Sequence, residues 1–202
     1  MNEYQDEKEK IELASNPSIP VETLKKLAND NSVWVRLKVA CNPKTPINIL
    51  EKLANDENMY VRATVARNKN ISIDTLKKLA EDENWEVRIE VALNPNTPVD
   101  ILKKLSQDEE WGVRRGVAEN PNTPVEILKK LSKDIEGIVR EEVALNPNTP
   151  SDILKKLADD ESEWVRIRLT QNPKIPFDIL KKLAKDERRN VRDSVMKKGI
   201  TI

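Results

Sequence analysis

The sequence contains no histidine, which removes the side chain that most often serves as a general base or a metal ligand near neutral pH. Its single cysteine, Cys41, excludes an intrachain disulfide bond and a cysteine-built metal site. The four glycines are too scattered to form a phosphate-binding loop. We therefore expect no cofactor, no bound metal and no catalytic centre, although acid–base chemistry by carboxylates alone stays open.

Long apolar runs and an excess of one charge are also missing. No stretch of about 18 apolar residues occurs, and the opening segment MNEYQDEKEK is charged, unlike a signal peptide. The 35 basic and 35 acidic residues cancel, so the net charge favours neither nucleic acid nor an anionic membrane as a partner. We expect a cytoplasmic protein that is a monomer and does not associate with a membrane.

What the sequence does contain is a repeat of 26 residues that occurs seven times without insertion. A single repeat carries about six apolar side chains, too few to offset the entropy lost on ordering it, so neighbouring repeats must pack on one another. Residues 1–15 end like the second half of a repeat and are interpreted as an N-terminal capping half-repeat, and residues 198–202 as a C-terminal tail. The seven repeats span residues 16–41, 42–67, 68–93, 94–119, 120–145, 146–171 and 172–197.

The first half of each repeat predicts a short helix, helix A, after a stretch such as Asn-Pro-Asn-Thr-Pro. Thr97 is predicted to cap this helix, with Pro98 at its first position and Asp100 returning the capping-box bond. Two leucines three residues apart, such as Leu102 and Leu105, face one way along the helix. Because helix A has only about ten residues, this spacing would also suit a 3₁₀-helix.

The second half of each repeat predicts another helix, helix B, from the motif Val-Arg-x-x-Val-Ala. Val113 and Val117 of the fourth repeat lie four residues apart, as in a buried helical stripe. The constant aspartate before the motif, here Asp108, is well placed to cap helix B. The constant arginine, here Arg114, is interpreted as part of a ladder of Arg–Asp or Arg–carbonyl bonds between repeats. The constant asparagine is interpreted as a turn former that bonds its neighbours.

The repeat consensus NPNTPxxILKKLAxDExWxVRxxVA resembles that of the leucine-rich repeat variant family, over residues 16–197. The resemblance implies a right-handed superhelix of paired α- and 3₁₀-helices. The Asp and Val-Arg core is also similar to HEAT repeats, which are mostly protein-binding scaffolds. Some members of the variant family hold an iron–sulfur cluster on an N-terminal group of cysteines, and Cys41 alone does not match that pattern. The expected fold is all-α, an α-solenoid superhelix of seven two-helix repeats in which α- and 3₁₀-helices can both occur.

The positions that differ most between repeats fall on helix B. One or two residues before the constant valine lies a large apolar residue, and all four tryptophans occupy this position. These side chains either pack at the boundary between repeats or form exposed anchors for a partner. Acidic residues surround them in the third to fifth repeats. The residues predicted to contact a protein or peptide partner are Trp34, Tyr60, Trp85, Glu86, Ile89, Trp111, Arg115, Ile138, Trp164 and Ile167.

The two positions between the leucines of helix A are lysine in 13 of 14 places and form a lysine ridge. The ridge is interpreted either as a solvated face or as a ladder for phosphate groups. The leading hypothesis is a non-enzymatic scaffold that binds a protein or peptide through helix B, and the alternative is binding of nucleic acid or an anionic surface through the ridge. The lysines assigned to the alternative are Lys77, Lys78, Lys103, Lys104, Lys129 and Lys130.

Overall fold

The computed structural model describes residues 3–198, which form α-helices and no β-strand. The predicted all-α solenoid of helix pairs is confirmed. Among these helices, none combines the length and the apolar composition that crossing a bilayer requires. Residues 1–2 of the predicted cap and 199–202 of the predicted tail lie outside the described residues. The helices are α1 (Glu3–Ser15), α2 (Val21–Leu27), α3 (Val33–Cys41), α4 (Ile47–Leu53), α5 (Met59–Arg67), α6 (Ile73–Leu79), α7 (Trp85–Leu93), α8 (Val99–Leu105), α9 (Trp111–Glu119), α10 (Val125–Leu131), α11 (Gly137–Leu145), α12 (Ser151–Leu157), α13 (Glu163–Gln171), α14 (Phe177–Leu183) and α15 (Arg189–Met196).

The helices A, which are α2 and every second helix up to α14, are α-helices of seven residues each. The 3₁₀ geometry that the leucine spacing allowed is not found in the described chain. At the end of α2, for example, the N–H of Ala28 donates to the carbonyl of Leu24 at 2.9 Å, four residues back, as in an α-helix. Both leucines of the motif, such as Leu50 and Leu53, are buried.

The threonine ahead of helix A does not cap that helix, so the prediction for Thr97 is wrong. Its hydroxyl donates to the carbonyl oxygen of Val91 at 2.5 Å, at the end of the preceding helix B. Thr45 and Thr149 make the equivalent bonds to the carbonyl oxygens of Val39 and Val143. The following proline, such as Pro46, takes the N-cap position in an extended conformation and moves the threonine too far from the first turn. The threonine therefore adds a second donor to a carbonyl at the end of helix B, where the N–H of Asn94 also donates to the carbonyl oxygen of Val91 at 3.2 Å.

The packing divides the chain into two compact units, with the boundary along the sequence between Ile101 and Leu102. In the N-terminal unit, α3 packs against α1 and α5, and α5 packs against α7. In the C-terminal unit, α11 packs against α9 and α13, and α13 packs against α15. Within each unit, successive helices B thus stack directly on one another, and their variable side chains form one face, called here the helix-B face of that unit.

The predicted arginine–aspartate ladder is confirmed. Arg36 of one repeat donates from Nε and Nη2 to the carboxylate of Asp56 in the next, at 2.6 and 2.9 Å. The same two-bond pairs are Arg62–Asp82, Arg114–Asp134, Arg140–Asp160 and Arg166–Asp186.

The third donor of each ladder arginine is used inside its own repeat, where Nη1 of Arg36 donates to the carbonyl oxygen of Asp30 at 3.0 Å. Oδ1 of Asp56 also accepts the N–H of Asn58, which is the N-cap residue of α5, at 3.0 Å. The prediction that the constant aspartate caps helix B is therefore wrong. The aspartate lies two residues before the N-cap residue and accepts the backbone N–H of that residue. Burial alone would raise the pKa of Asp56, but the bonds from Arg36 and Asn58 outweigh it and hold that pKa below the usual range.

The constant asparagines form a second ladder, as predicted. Nδ2 of Asn146 donates to the carbonyl oxygen of Ala118, the residue before the last of the fourth repeat, at 2.7 Å and to that of Asn120, the first residue of the fifth repeat, at 3.1 Å. Its Oδ1 accepts the N–H of Asn148 at 2.9 Å, which closes the turn. The two bonds to Ala118 and Asn120 are buried, so they satisfy backbone carbonyl groups that are shielded from water. Asn42, Asn68 and Asn172 bond in the same way.

Candidate functional site

The aromatic side chains of helix B are exposed and not buried at the boundary between repeats. Trp34 is 60% exposed, Tyr60 58% and Trp85 43%. They lie in the first turn of α3, α5 and α7, where the constant valines one or two residues further on are fully buried. Between the two alternatives that the sequence left open, this exposure favours anchors available to a partner.

A groove of about 730 Å³ crosses the helix-B face of the N-terminal unit. It brings together all five residues that the sequence predicted as partner contacts on these three helices. The groove is mainly apolar, with polar groups at Asn58, Thr64, Arg67, Glu86 and Glu90. Its lining consists of Val33, Trp34 and Leu37 from α3, the N-cap residue Asn58 with Tyr60, Ala63, Thr64 and Arg67 from α5, and Trp85, Glu86, Ile89 and Glu90 from α7.

Most polar groups of this groove are bonded within the chain. Arg67 donates from Nε to Oε2 of Glu90 at 2.9 Å, and its Nη2 also contacts the same carboxylate. The hydroxyl of Thr64 donates to the carbonyl oxygen of Tyr60 at 2.7 Å. Glu86 differs, since the carboxylate of this half-buried residue has neither an ion pair nor a hydrogen bond from any described residue. The groove therefore holds one neutralised charge pair and one unpaired negative charge.

A smaller groove of about 320 Å³ adjoins the first and shares Leu37, Thr64 and Arg67 with it. Cys41, the last residue of α3, is exposed and lines this second groove. Sequence reasoning did not single out Arg67. The available signal was its position, since the last residue of helix B also varies between repeats, from Cys41 to Leu93 and Glu119.

The helix-B face of the C-terminal unit presents paired charges. Nε of Arg115 lies 3.1 Å from Oε1 of Glu142, whose side chain is buried, and Nη2 of Arg115 lies 3.5 Å from Oε2 of Glu119. Arg168 lies 3.7 Å from Glu141. The predicted contacts of this unit lie on α9, α11 and α13, where Trp111, Ile138 and Trp164 are exposed and Arg115 and Ile167 are half-buried.

One carboxyl of this face has an unusual proton affinity. Burial raises the pKa of Glu141 above its ordinary value, and the neighbouring Glu142 adds to the effect. The charge of Arg168 acts in the opposite direction and does not outweigh burial.

All six lysines of the predicted anion-binding ridge are exposed on α6, α8 and α10. Other lysines at the same repeat positions bond to the neighbouring repeat. Lys182 contacts Asp159, and Nζ of Lys155 lies 3.3 Å from Oδ2 of Asp178. Lys78, one of the six, contacts the side-chain oxygen of Asn55. Part of the ridge is therefore occupied by bonds along the stack.

The repeat type is independently recognised in the middle of the chain. A family model described as leucine rich repeat variant matches residues 85–110, 111–134 and 139–162. These three segments of the chain are similar to leucine-rich repeat variants. A solved structure described as a leucine-rich repeat variant with a novel repetitive structural motif is 27% identical, with a TM-score of 0.64, and the match covers 96% of this chain and 82% of that one.

A second solved structure supports the fold alone. The Escherichia coli protein YibA is 17% identical with a TM-score of 0.57, over 100% of this chain and 98% of the other. Among curated proteins, none matches this chain.

Proposed function

We propose that this chain is a non-enzymatic scaffold that binds a protein or peptide partner through its helix-B faces. The observation that carries the proposal is the exposure of Trp34, Tyr60 and Trp85 along a single apolar groove. Large aromatic side chains set among polar groups are what the energetic centres of protein interfaces have in common. An exposed apolar surface of this kind also costs solubility, so its presence needs a functional reason.

The constant residues of the repeat, called here the frame, support this proposal because their bonds do not involve the groove side chains. The constant arginine, aspartate and asparagine bond to one another and to the backbone, as in Arg62–Asp82 and Asn68–Ala40. No buried side-chain nitrogen or oxygen of the described residues lacks a partner. The aromatic positions can therefore change between repeats at little cost in stability, which is what a scaffold with an adaptable binding face requires.

The double variant Trp34→Ala/Trp85→Ala tests the proposal. Because both rings are largely exposed, we expect each change to lower the free energy of unfolding by about 1 kcal/mol or less, whereas a partner that uses the groove should lose most of its affinity. Wild type and variant are used to recover partners from the native lysate, and each partner found is purified and titrated.

Phe177→Ala is the matched control, because Phe177 is 55% exposed but begins α14, a helix A. The proposal requires partners that bind wild type and the Phe177 variant and are lost from the double variant. Partners that bind all three equally, or a double variant that unfolds while binding persists in its folded fraction, would contradict it.

The lysine ridge supports a second candidate, the binding of phosphate groups on nucleic acid or another anionic surface. The exposure of all six lysines is in its favour, and the lysines already bonded to neighbouring repeats count against it. Such binding would weaken steeply with salt. A gel-shift titration with duplex DNA and RNA at low salt decides the matter, and the absence of a shift would exclude this candidate.

A further inference from the structure

We propose that the groove of the N-terminal unit binds an extended peptide segment in which a lysine or arginine stands among apolar side chains, with the cation against Glu86. This inference rests on the proposed function and specifies the chemistry of the partner. Three features of the groove carry it: its apolar lining, its course over three stacked helices, and Glu86, the carboxylate of the lining that has no partner among the described residues.

Three side chains that are charged at neutral pH line the groove: Arg67, Glu86 and Glu90. Arg67 and Glu90 neutralise each other through two contacts. The carboxylate of Glu86 has no partner among the described residues, and the residue is already half-buried. A ligand that fills the groove removes more water from this carboxylate, which is costly unless a positive group compensates it. An acidic ligand would add repulsion to that cost, and a basic side chain would remove it.

The neighbouring aromatic ring reinforces the preference for a cation. Trp85 precedes Glu86 on α7, and both line the groove. A lysine or arginine that reaches Glu86 can also lie over the face of an indole, which attracts cations most strongly among the aromatic side chains. Its aliphatic stem can cover the apolar lining at the same time.

The extended conformation follows from the course of the groove. Packed helices lie about 10 Å apart, so three stacked helices B place their anchor residues over roughly 20 Å. An extended peptide advances about 3.3 Å per residue, so six or seven residues span that distance. Trp34, Tyr60 and Trp85 each belong to a different helix and should meet side chains about three residues apart along such a peptide.

The experiment uses the full-length protein and a phage-displayed library of random peptides of about twelve residues. Peptides selected on wild type are synthesised, and their dissociation constants are measured by fluorescence anisotropy. We expect enrichment of lysine or arginine among apolar residues. Glu86→Gln should weaken binding by about tenfold and Glu86→Lys by more, since a like charge then faces the peptide cation. Replacing the basic residue of the peptide by glutamine should have the same effect as Glu86→Gln.

Glu83→Gln is the matched control, because Glu83 lies three residues earlier on the chain but is highly exposed and outside the groove lining. It should leave binding unchanged. Thermal unfolding of each variant checks that the fold is retained.

The outcomes separate this inference from the proposed function. Selected peptides that need Trp34 and Trp85 but show no basic preference, and that bind the Glu86→Gln variant as tightly as wild type, would overturn the inference and leave the proposed function standing. Selection that yields no peptide dependent on Trp34 and Trp85 would count against both.

Discussion

The helix-B faces of the two compact units rest on the same constant residues but differ in whether their charged side chains are paired. In the N-terminal unit, α3, α5 and α7 enclose an apolar groove with the free carboxylate of Glu86. In the C-terminal unit, α9, α11 and α13 carry exposed aromatics together with ion pairs such as Arg115–Glu142. Since the ladders are the same in both units, the difference lies only in the variable positions of helix B.

This difference shows that the constant positions of the repeat stabilise the stack, whereas the variable positions determine the surface of helix B. Buried asparagines and half-buried arginine–aspartate pairs hold consecutive helices together in both units, because any loss there would leave polar groups unpaired. The variable positions carry no such bond to the frame. The face of the N-terminal unit can therefore form a groove with an unpaired carboxylate, while the face of the C-terminal unit pairs its charged side chains with one another.

The largest effect is expected from breaking the frame itself. Asp82→Ala leaves two donors of Arg62 and the N–H of Asn84 without their acceptor, and Asp134→Ala does the same in the C-terminal unit. Each should lower the free energy of unfolding by about 2–4 kcal/mol, since unsatisfied and partly buried charged groups are costly. Urea denaturation followed by circular dichroism measures both.

The control for this prediction is Glu83→Ala, which removes an exposed carboxylate next to Asp82 and should change stability by less than about 0.5 kcal/mol. If the two aspartate variants differed widely from each other, the frame would not be equivalent in the two units.

A smaller effect should separate the two faces. Arg115→Ala leaves the buried carboxylate of Glu142 with no arginine beside it and should cost about 1–2 kcal/mol. Arg67→Ala should cost less, because Arg67 is mostly exposed and Glu90 is nearer to solvent than Glu142. Denaturant unfolding of both variants tests the order.

Adding Glu142→Gln to Arg115→Ala should recover part of the loss, since the neutral amide is cheaper to bury than an unpaired carboxylate. An equal loss from Arg67→Ala and Arg115→Ala would remove the proposed contrast between the faces.

The smallest effect concerns Glu141 and pH. Because burial raises its pKa in the folded chain above the unfolded value, the folded state binds this proton more tightly, and stability from this group is gained as the pH falls through the folded pKa. Glu141→Gln removes the cost of burying the charge, so the thermal midpoint should rise slightly at pH 7. The advantage over wild type should shrink at pH 4, where wild-type Glu141 is increasingly protonated.

The exposed Glu136→Gln serves as the control and should show no such pH-dependent gain. A lower midpoint for Glu141→Gln at pH 7 would mean that its contact with Arg168 outweighs burial.

Sequence periodicity was sufficient for the fold but not for all of its bonds. The constant residues predicted the paired helices and both ladders. The prediction for Thr97 was wrong because the proline that follows it takes the N-cap position. The hydroxyl of Thr97 instead donates to a carbonyl oxygen of the preceding helix. Helix A has seven residues and not the expected number of about ten, and it is α-helical where the leucine spacing also allowed a 3₁₀-helix.

The groove was predictable only in part. The aromatic positions indicated Trp34, Tyr60 and Trp85, since they interrupt an otherwise constant frame. The charge pairs were not predictable, because Arg67 pairs with a residue 23 positions away and Arg115 with one 27 positions away. Neither offset equals the repeat length of 26, and the choice between them depends on how neighbouring helices are rotated, which periodicity does not specify.

The most direct test of the account places a photo-crosslinking residue in the groove. With p-benzoylphenylalanine in place of Tyr60, a peptide selected on wild type should crosslink to the protein on irradiation, and excess unlabelled peptide should abolish the product. The same residue in place of Phe177, equally exposed but on a helix A, should give none. Crosslinking from position 177 without crosslinking from position 60 would contradict the assignment of the binding face to helix B.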